Sequence, residues 1–381
     1  MKSIRYLIPL LGSAALLFLL IMLLLPRTAQ RTGHDFTLTR EARAVWLHRF
    51  EYTRVEPKFN QNSIRQFIAD VIDSAAAANF NMIIFQVRGN GDAYYTPGLE
   101  PWGELLTGEL GQSPGWDPLR FAIRRAHSHG IELHAWINVF PAWRGTSLPQ
   151  ETTPRMAILD HPEWFVADSA GNPMEFSDGY VSFSPGIPAV HDYIIDVAAD
   201  ITRRYDIDGI HFDYIRYPAH SPEKGYSHDS ISVRRFQSDA GNPLRLDWDD
   251  WQREQLTQFV ARSYNALKDI KPYLKISAAV LGSYNRGEWN AYSTVYQDPR
   301  RWTELGKIDF LTPMTYFEID NAHHPFLARV QEWRSEYAID RYIFPGIGSY
   351  RFSSGDTGIS WKETGRQIAG LRELQIPGMV F

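Results

Sequence analysis

From Ala44 to the last residue, short β-prone apolar runs alternate with helical patterns, and that alternation leaves few folds open. The runs are Ala44–Phe50, Asn81–Arg88, Ile131–Phe140, Ile207–Asp213, Lys275–Leu281, Asp309–Glu318, Tyr342–Ser349 and Gly378–Phe381. Between the first two, Ile64, Phe67, Ile68, Val71, Ile72 and Ala75 share one helical face, and Ser63 with Gln66 predicts a capping box. Asp117-Pro118 predicts the start of the next helix as N-cap and first turn, and Gly130 its end. Further helices are expected around Tyr193–Ile201, Leu256–Leu267, Trp302–Leu305, Leu327–Glu336 and Trp361–Leu374. Eight strands separated by helices predict an α/β fold, a (β/α)8 TIM-type barrel over residues 41–381. A doubly wound open sheet is the main rival, but no G-x-G-x-x-G turn follows the first run.

Two long connections, Pro141–Gly186 and Ala219–Asp249, each follow a strand and precede a helix. Barrel topology puts such loops on the carboxyl-end face, where sites are built. The stretch "DIDGIHFDYIRYP" (206–218) carries unusual charge for a buried strand. Side chains alternate along a strand, so Ile210 and Phe212 are expected to face the helices, and Gly209, His211 and Asp213 the barrel axis. The same alternation turns Gln86 and Arg88, His134, Trp136 and Asn138, and Met314, Tyr316 and Glu318 inward. A barrel mouth that supplies partners and water lowers the cost of holding such charges. Asp213 is read as a catalytic or substrate-contacting carboxylate rather than a structural partner of Arg216 or Arg88. His211 orients Asp213, touches substrate or is simply packed, and Trp136 is read as a sugar platform rather than core. Asp208, facing outward, is expected to cap.

The formal charge of -5 offers no basic surface for DNA or RNA, so no nucleic-acid partner is expected. Aromatic residues make up 14% of the chain, and their flat apolar faces suit sugars as well as a core. Lys2 and Arg5 precede an uncharged run from Tyr6 to Pro26, about the length that crosses a bilayer. Residues 1–30 are therefore expected to be an N-terminal membrane anchor, or else a cleaved signal peptide, and 31–40 a polar tether. The basic end of the anchor would lie in the cytoplasm and the barrel outside the inner membrane.

Paired carboxylates are the minimal machinery for glycoside cleavage, one donating a proton to the leaving oxygen and the other acting as nucleophile or base. Asp213 is the first candidate. Strand alternation makes Glu318 the first choice of partner, Glu288 the second and Asp92 the third. No cofactor is expected.

The segments "FQVRGNGDAYY" (85–95), "HAWINVF" (134–140), "HPEWF" (161–165), "DIDGIHFDYIRYP" (206–218), "GYSHDSISVRRFQ" (225–237) and "IDFLTPMTYF" (308–317) resemble, in order, the bacterial glycosyl hydrolase-like family 10 domain. The resemblance implies a (β/α)8 hydrolase of the cell envelope acting on a polysaccharide, with peptidoglycan glycan strands as substrate. It also implies that Arg88, Asp92, Asn138, His211, Arg216 and Tyr316 line the site around Asp213. Family 18 chitinases carry a comparable D-G-x-D-x-D-x-E pattern, but aligning Asp208-Gly209 and Asp213 puts Ile215 where their glutamate falls. Two further readings fit the same residues: a metal-dependent deacetylase or amidohydrolase using His134, His211 and Asp213, and a non-catalytic glycan-binding barrel. Domains that the chain resembles continue beyond the eighth strand into a last helix. This sequence stops at "GMVF", without that helix, so either a truncated product is expected or Met379–Phe381 are expected to pair only marginally.

Overall fold

Every predicted run forms a strand, and the strands join in the register of a barrel. The computed structural model describes residues 40–352 and 361–381. Ten strands are present among them: β1 (Ala42–Leu47), β2 (Met82–Arg88), β3 (Glu132–Asn138), β4 (Pro141–Gly145), β5 (Ser177–Ser182), β6 (Gly209–Asp213), β7 (Lys275–Leu281), β8 (Phe310–Met314), β9 (Tyr342–Ile343) and β10 (Gly378–Val380). Eight of them pair in the order β10-β1-β2-β3-β6-β7-β8-β9, all parallel. The ring closes where Val380 N–H donates to Pro345 O (3.0 Å) and Ile347 N–H donates to Val380 O (2.8 Å). β4 and β5 form an antiparallel hairpin in the long loop after β3, an element the loop's composition did not announce.

The terminal strand is better held than expected. β10 pairs with β1 along Ala42–Ala44 on one side and bridges to Gly346 on the other, and Met379 and Val380 are buried. Marginal pairing of Met379–Phe381 is thereby corrected: two-sided hydrogen bonding and burial against β1 hold the segment. The expected anchor and tether lie outside the described residues. Among the described residues no helix is long and apolar enough to cross a membrane.

Inside the barrel, side chains stack in layers, as parallel β-barrels require. In the lowest layer His134 stands beside Gly209 and Lys275; one layer up, Trp136 stands beside His211 and Ser277. The glycine of the "DGIHFD" motif is explained by this packing. A Cβ on Gly209 would lie 2.4 Å from His134 Nδ1 and 2.7 Å from the backbone oxygen of Lys275. Gly209→Val is expected to cost about 1–3 kcal/mol by overpacking, read as a lower denaturant midpoint at unchanged slope.

Three local departures from the predicted pattern reshape the carboxyl-end face. First, the opening run ends as a strand at Leu47, and Arg49–Thr53 form a short helix capped by His48. Second, β2 bulges between Gln86 and Arg88, so the strict alternation fails at its last residue. Third, β8 stops at Met314, because Thr315 N–H and Tyr316 N–H turn back onto Pro313 O and Met314 O. The following helix also begins earlier than expected. Asn60 caps Gln61–Ala77 by accepting from Asn62 N–H and Ser63 N–H, so the Ser63–Gln66 box does not form. At Asp117, by contrast, the predicted cap accepts from Arg120 N–H, and Pro118 opens the helix.

Candidate active site

At the carboxyl end of β6 the barrel opens into a cavity of about 300 Å³, at the small end of the range for ligand sites. Asp213 lines it and is only 6% exposed. Its Oδ1 accepts the Tyr214 N–H at 2.6 Å and lies 3.9 Å from Arg216 Nη1. Burial pushes the Asp213 pKa up, and the Arg216 charge and the Tyr214 N–H partly offset that rise. Tyr214 itself has φ 55°, a left-handed conformation that a tyrosine adopts only under constraint. The Asp213 carboxylate thus lines the cavity immediately before a left-handed turn. The Arg216 guanidinium lies 4.2 Å over the Tyr214 ring, which fixes it beside the carboxylate.

The walls are largely aromatic. Trp46, Trp136, Tyr316 and Tyr350 all line the cavity, with His48 packed edge-on against Trp136 at 5.3 Å. Tyr316 meets Trp46 at 6.3 Å and Tyr350 at 5.6 Å, both edge to face. Tyr350 is 62% exposed at the rim, the position of a ring on which a sugar face can stack.

His211 lies beneath this cavity rather than in it. Trp46 Nε1–H donates to His211 Nε2 (3.1 Å), and an indole can only donate, so Nε2 must be unprotonated. The proton therefore sits on Nδ1, 2.9 Å from Ser277 Oγ. Burial drives the His211 pKa down to about 3, with His134 adding to the effect. His211 is a neutral strut under Trp46, with both ring nitrogens engaged.

A buried polar chain fixes the wall on the other side. Arg49 Nη1 donates to Gln86 Oε1 (2.9 Å), Gln86 Nε2 donates to Asn138 Oδ1 (3.1 Å), and Trp136 Nε1 donates to the same Asn138 oxygen (3.0 Å). Asn138 Nδ2 in turn donates to Gly89 O at 3.1 Å. Asn138 thus orients Trp136 and does not itself line the cavity. Arg49 also donates to Asn90 Oδ1 and Tyr180 Oη, tying the Arg49–Thr53 helix to β2 and to the hairpin.

That helix carries a carboxylate that sequence reasoning missed. Glu51 lines the same cavity as Asp213. Its Oε2 accepts the His48 N–H at 2.7 Å, while His48 Nδ1 accepts the Phe50 N–H at 3.1 Å, which completes a capping box. Burial raises the Glu51 pKa, offset in part by the His48 N–H. The signal was legible as a cap residue followed three positions later by glutamate, but reading Ala44–Phe50 as one strand concealed it.

Several expected site residues lie elsewhere. Arg88, carried off the inward pattern by the β2 bulge, is fully buried against Glu100 and outside the cavity. Asp92 organises its own loop, accepting from Gly89 N–H, Asn90 N–H and Tyr94 Oη–H. Glu318 sits beyond the turn that ends β8. It pairs with Arg351 at 3.1 Å and lines a separate small cleft rather than the Asp213 cavity. Glu288 is exposed on its loop. Asp208 accepts from Leu133 N–H and from His127, as a cap should. His134 lies in the lowest layer beside Glu132, so His134, His211 and Asp213 occupy three different levels of the barrel. Among the described residues no three His, Asp or Glu side chains gather as metal ligands.

The sequence profile of the glycosyl hydrolase-like 10 family matches residues 41–356. Glycosyl hydrolase DigH of Escherichia coli (strain K12) is 30% identical over 357 residues, covering 86% of this chain and 76% of that protein. Glycosyl hydrolase YngK of Bacillus subtilis (strain 168) is 27% identical over 357 residues, covering 88% of this chain. The chain spans 66% of YngK's length. Among solved structures, alpha-L-fucosidase isoenzyme 2 from Paenibacillus thiaminolyticus superposes with a TM-score of 0.57 at 16% identity, over 89% of this chain and 45% of that one. An alpha-amylase from Lactobacillus plantarum superposes with a TM-score of 0.54 at 10% identity, over 89% of this chain and 70% of that one. At such identities these two likenesses speak for the barrel fold alone. With the profile covering nearly the whole barrel, including the strand end that carries Asp213, the chain belongs to the glycosyl hydrolase-like 10 family.

Proposed function

We propose that the protein is a glycoside hydrolase of the bacterial envelope that cleaves peptidoglycan glycan strands, with Asp213 as a catalytic carboxylate. The observation that carries this reading is a buried carboxylate at the end of β6, opening into an aromatic-walled cavity. An active-site carboxylate with a raised pKa and a cation beside it is what acid–base or nucleophilic work on an acetal demands. Trp136, Tyr316 and Tyr350 supply faces for a sugar, and Arg216 holds Asp213 in place. Family membership supports a glycan as substrate, and the uncharged run from Tyr6 to Pro26 behind Lys2 and Arg5 supports an envelope location with the barrel outside the inner membrane.

The test is product analysis. The full chain in detergent is incubated with intact and with peptide-stripped peptidoglycan, and the products are identified by mass. New reducing ends are expected, and their position on muramic acid or on glucosamine identifies the bond cut. Tight binding without new reducing ends would make the protein a glycan-binding barrel. Acetate release without chain cleavage, abolished by a chelator and restored by one divalent ion, would make it a deacetylase.

A further inference from the structure

We propose that Glu51, which shares the cavity with Asp213, is the proton donor of this glycosidic cleavage. The inference rests on the glycosidase reading and names the second carboxylate that the reading requires. Among the described residues, Glu51 and Asp213 are the two carboxylates that line the cavity. Glu318 is removed from it by the turn after β8.

Burial raises the pKa of both acids and each accepts one backbone N–H, so the remaining difference assigns their roles: Arg216 lies 3.9 Å from Asp213, and Glu51 is the more exposed. Asp213 receives a backbone N–H and faces Arg216, both of which favour its ionised form. Glu51 meets a backbone N–H and the cavity wall, and it also reaches solvent, from which a proton donor can be recharged. Burial raises the Glu51 pKa, the direction that suits a general acid.

The titratable groups sharing its cavity are His48, Asp213, Tyr316 and Tyr350. His48 stays neutral, its pKa driven down to about 3 by burial and by Arg49, Arg54 and Arg144. The guanidinium groups of those three arginines gather on the Phe50 ring at 4.4, 4.0 and 5.5 Å. Rigid placement comes from Arg49, two residues before Glu51, which is buried and bonded to Gln86, Asn90 and Tyr180. A carboxylate that served only the helix cap would need no access to the cavity.

In the reaction, the Glu51 proton passes to the glycosidic oxygen as the bond from the anomeric carbon to that oxygen breaks, and both bonding electrons leave with the oxygen. Asp213 then follows one of two courses. Either its own oxygen forms the bond to the anomeric carbon, to be displaced by water that Glu51 deprotonates, or it takes a proton from a water whose oxygen forms that bond. The separation of the two carboxyl groups across a bound sugar decides which: about 5–5.5 Å for the first, about 6.5–9.5 Å for the second.

Glu51→Gln tests the assignment, because glutamine keeps the capping acceptor and removes the acid. Full-length wild type and variant are compared on peptide-stripped glycan strands from pH 4 to 9, with kcat and KM determined separately. The expected result is a kcat lower by about 10²–10⁴-fold, KM little changed, and loss of the alkaline limb of the wild-type profile. Glu51→Asp, which keeps an acid on a shorter stem, is expected to retain that limb at reduced rate. Wild-type turnover with Glu51→Gln within about threefold, and the limb unmoved, overturns the assignment of Glu51 alone. No turnover by wild type overturns both this assignment and the glycosidase reading beneath it.

Discussion

Asp213→Asn is expected to lower turnover on peptide-stripped glycan strands by at least about a thousand-fold while leaving glycan binding largely intact. Asparagine keeps the size and the acceptor for the Tyr214 N–H but can neither take a proton nor attack carbon. The same substitution is expected to leave the protein no less stable at neutral pH, and this is the more discriminating half of the prediction. Burial raises the folded-state pKa of Asp213 above its unfolded value. Between those two values the folded state binds more protons than the unfolded state, so stability falls as pH rises through the window, and above it the ionised carboxylate is a net cost. The neutral amide removes that cost above the window and makes no difference below the unfolded pKa, where both forms are neutral. Loss of activity with an unchanged or higher melting temperature at pH 7 fits a site whose charge is kept for chemistry. Loss of activity with a melting temperature several degrees lower would instead make Asp213 a scaffold residue tied to Arg216.

The barrel was legible because its signals are periodic and repeated. Each of the eight predicted runs contains a strand, and Asp117-Pro118 opened a helix where capping chemistry said it should. What escaped were features whose cause is local and non-periodic. The β4–β5 hairpin is built from Pro141–Gly145 and Ser177–Ser182, short segments with no apolar alternation of their own. The short helix after β1 begins with histidine as its cap, an uncommon cap that looks like the continuation of a strand.

Site legibility followed the same division. Where a strand stays regular, alternation put the right side chains inward: His211 and Asp213 on β6, and Trp136 and Asn138 on β3. Where a strand is interrupted, alternation misled. The bulge before Arg88 and the turn after Met314 each break the period of two, and Arg88 and Glu318 fall outside the cavity, although Tyr316, also past the turn, still lines it. Such interruptions sit at the carboxyl ends because there the chain leaves the sheet to build the mouth. Periodicity therefore weakens where function begins.

Arg88 shows what such a displaced charge does instead, and replacing it by Met is expected to cost about 3–5 kcal/mol of stability. Arg88 and Glu100 are both fully buried. Arg88 Nε donates to both Glu100 oxygens at 2.8 and 2.9 Å. Nη2 lies 2.7 Å from Oε1 but outside hydrogen-bond direction, so it adds charge proximity rather than a further directed bond. Tyr193 Oη–H donates to the same carboxylate at 2.7 Å. On its other side Nη1 of Arg88 donates to the carbonyls of Asn138, Val139 and Pro141, where β3 leaves the sheet toward the hairpin. Methionine fills the space but strands Glu100 as a buried anion and frees three carbonyls. At roughly 0.7 kcal/mol per degree for a domain of this length, the melting temperature should fall by about 4–7 °C. Adding Glu100→Leu should recover part of the loss, because two apolar groups avoid the stranded charge, but not all of it, because the β3 carbonyls and Tyr193 still lack their partner. A cost for Arg88→Met below about 1 kcal/mol, or full recovery in the double variant, would mean that the pair does not hold the end of β3. Activity should fall together with stability if it does, since Asn138 orients Trp136 in the cavity wall from that same strand end.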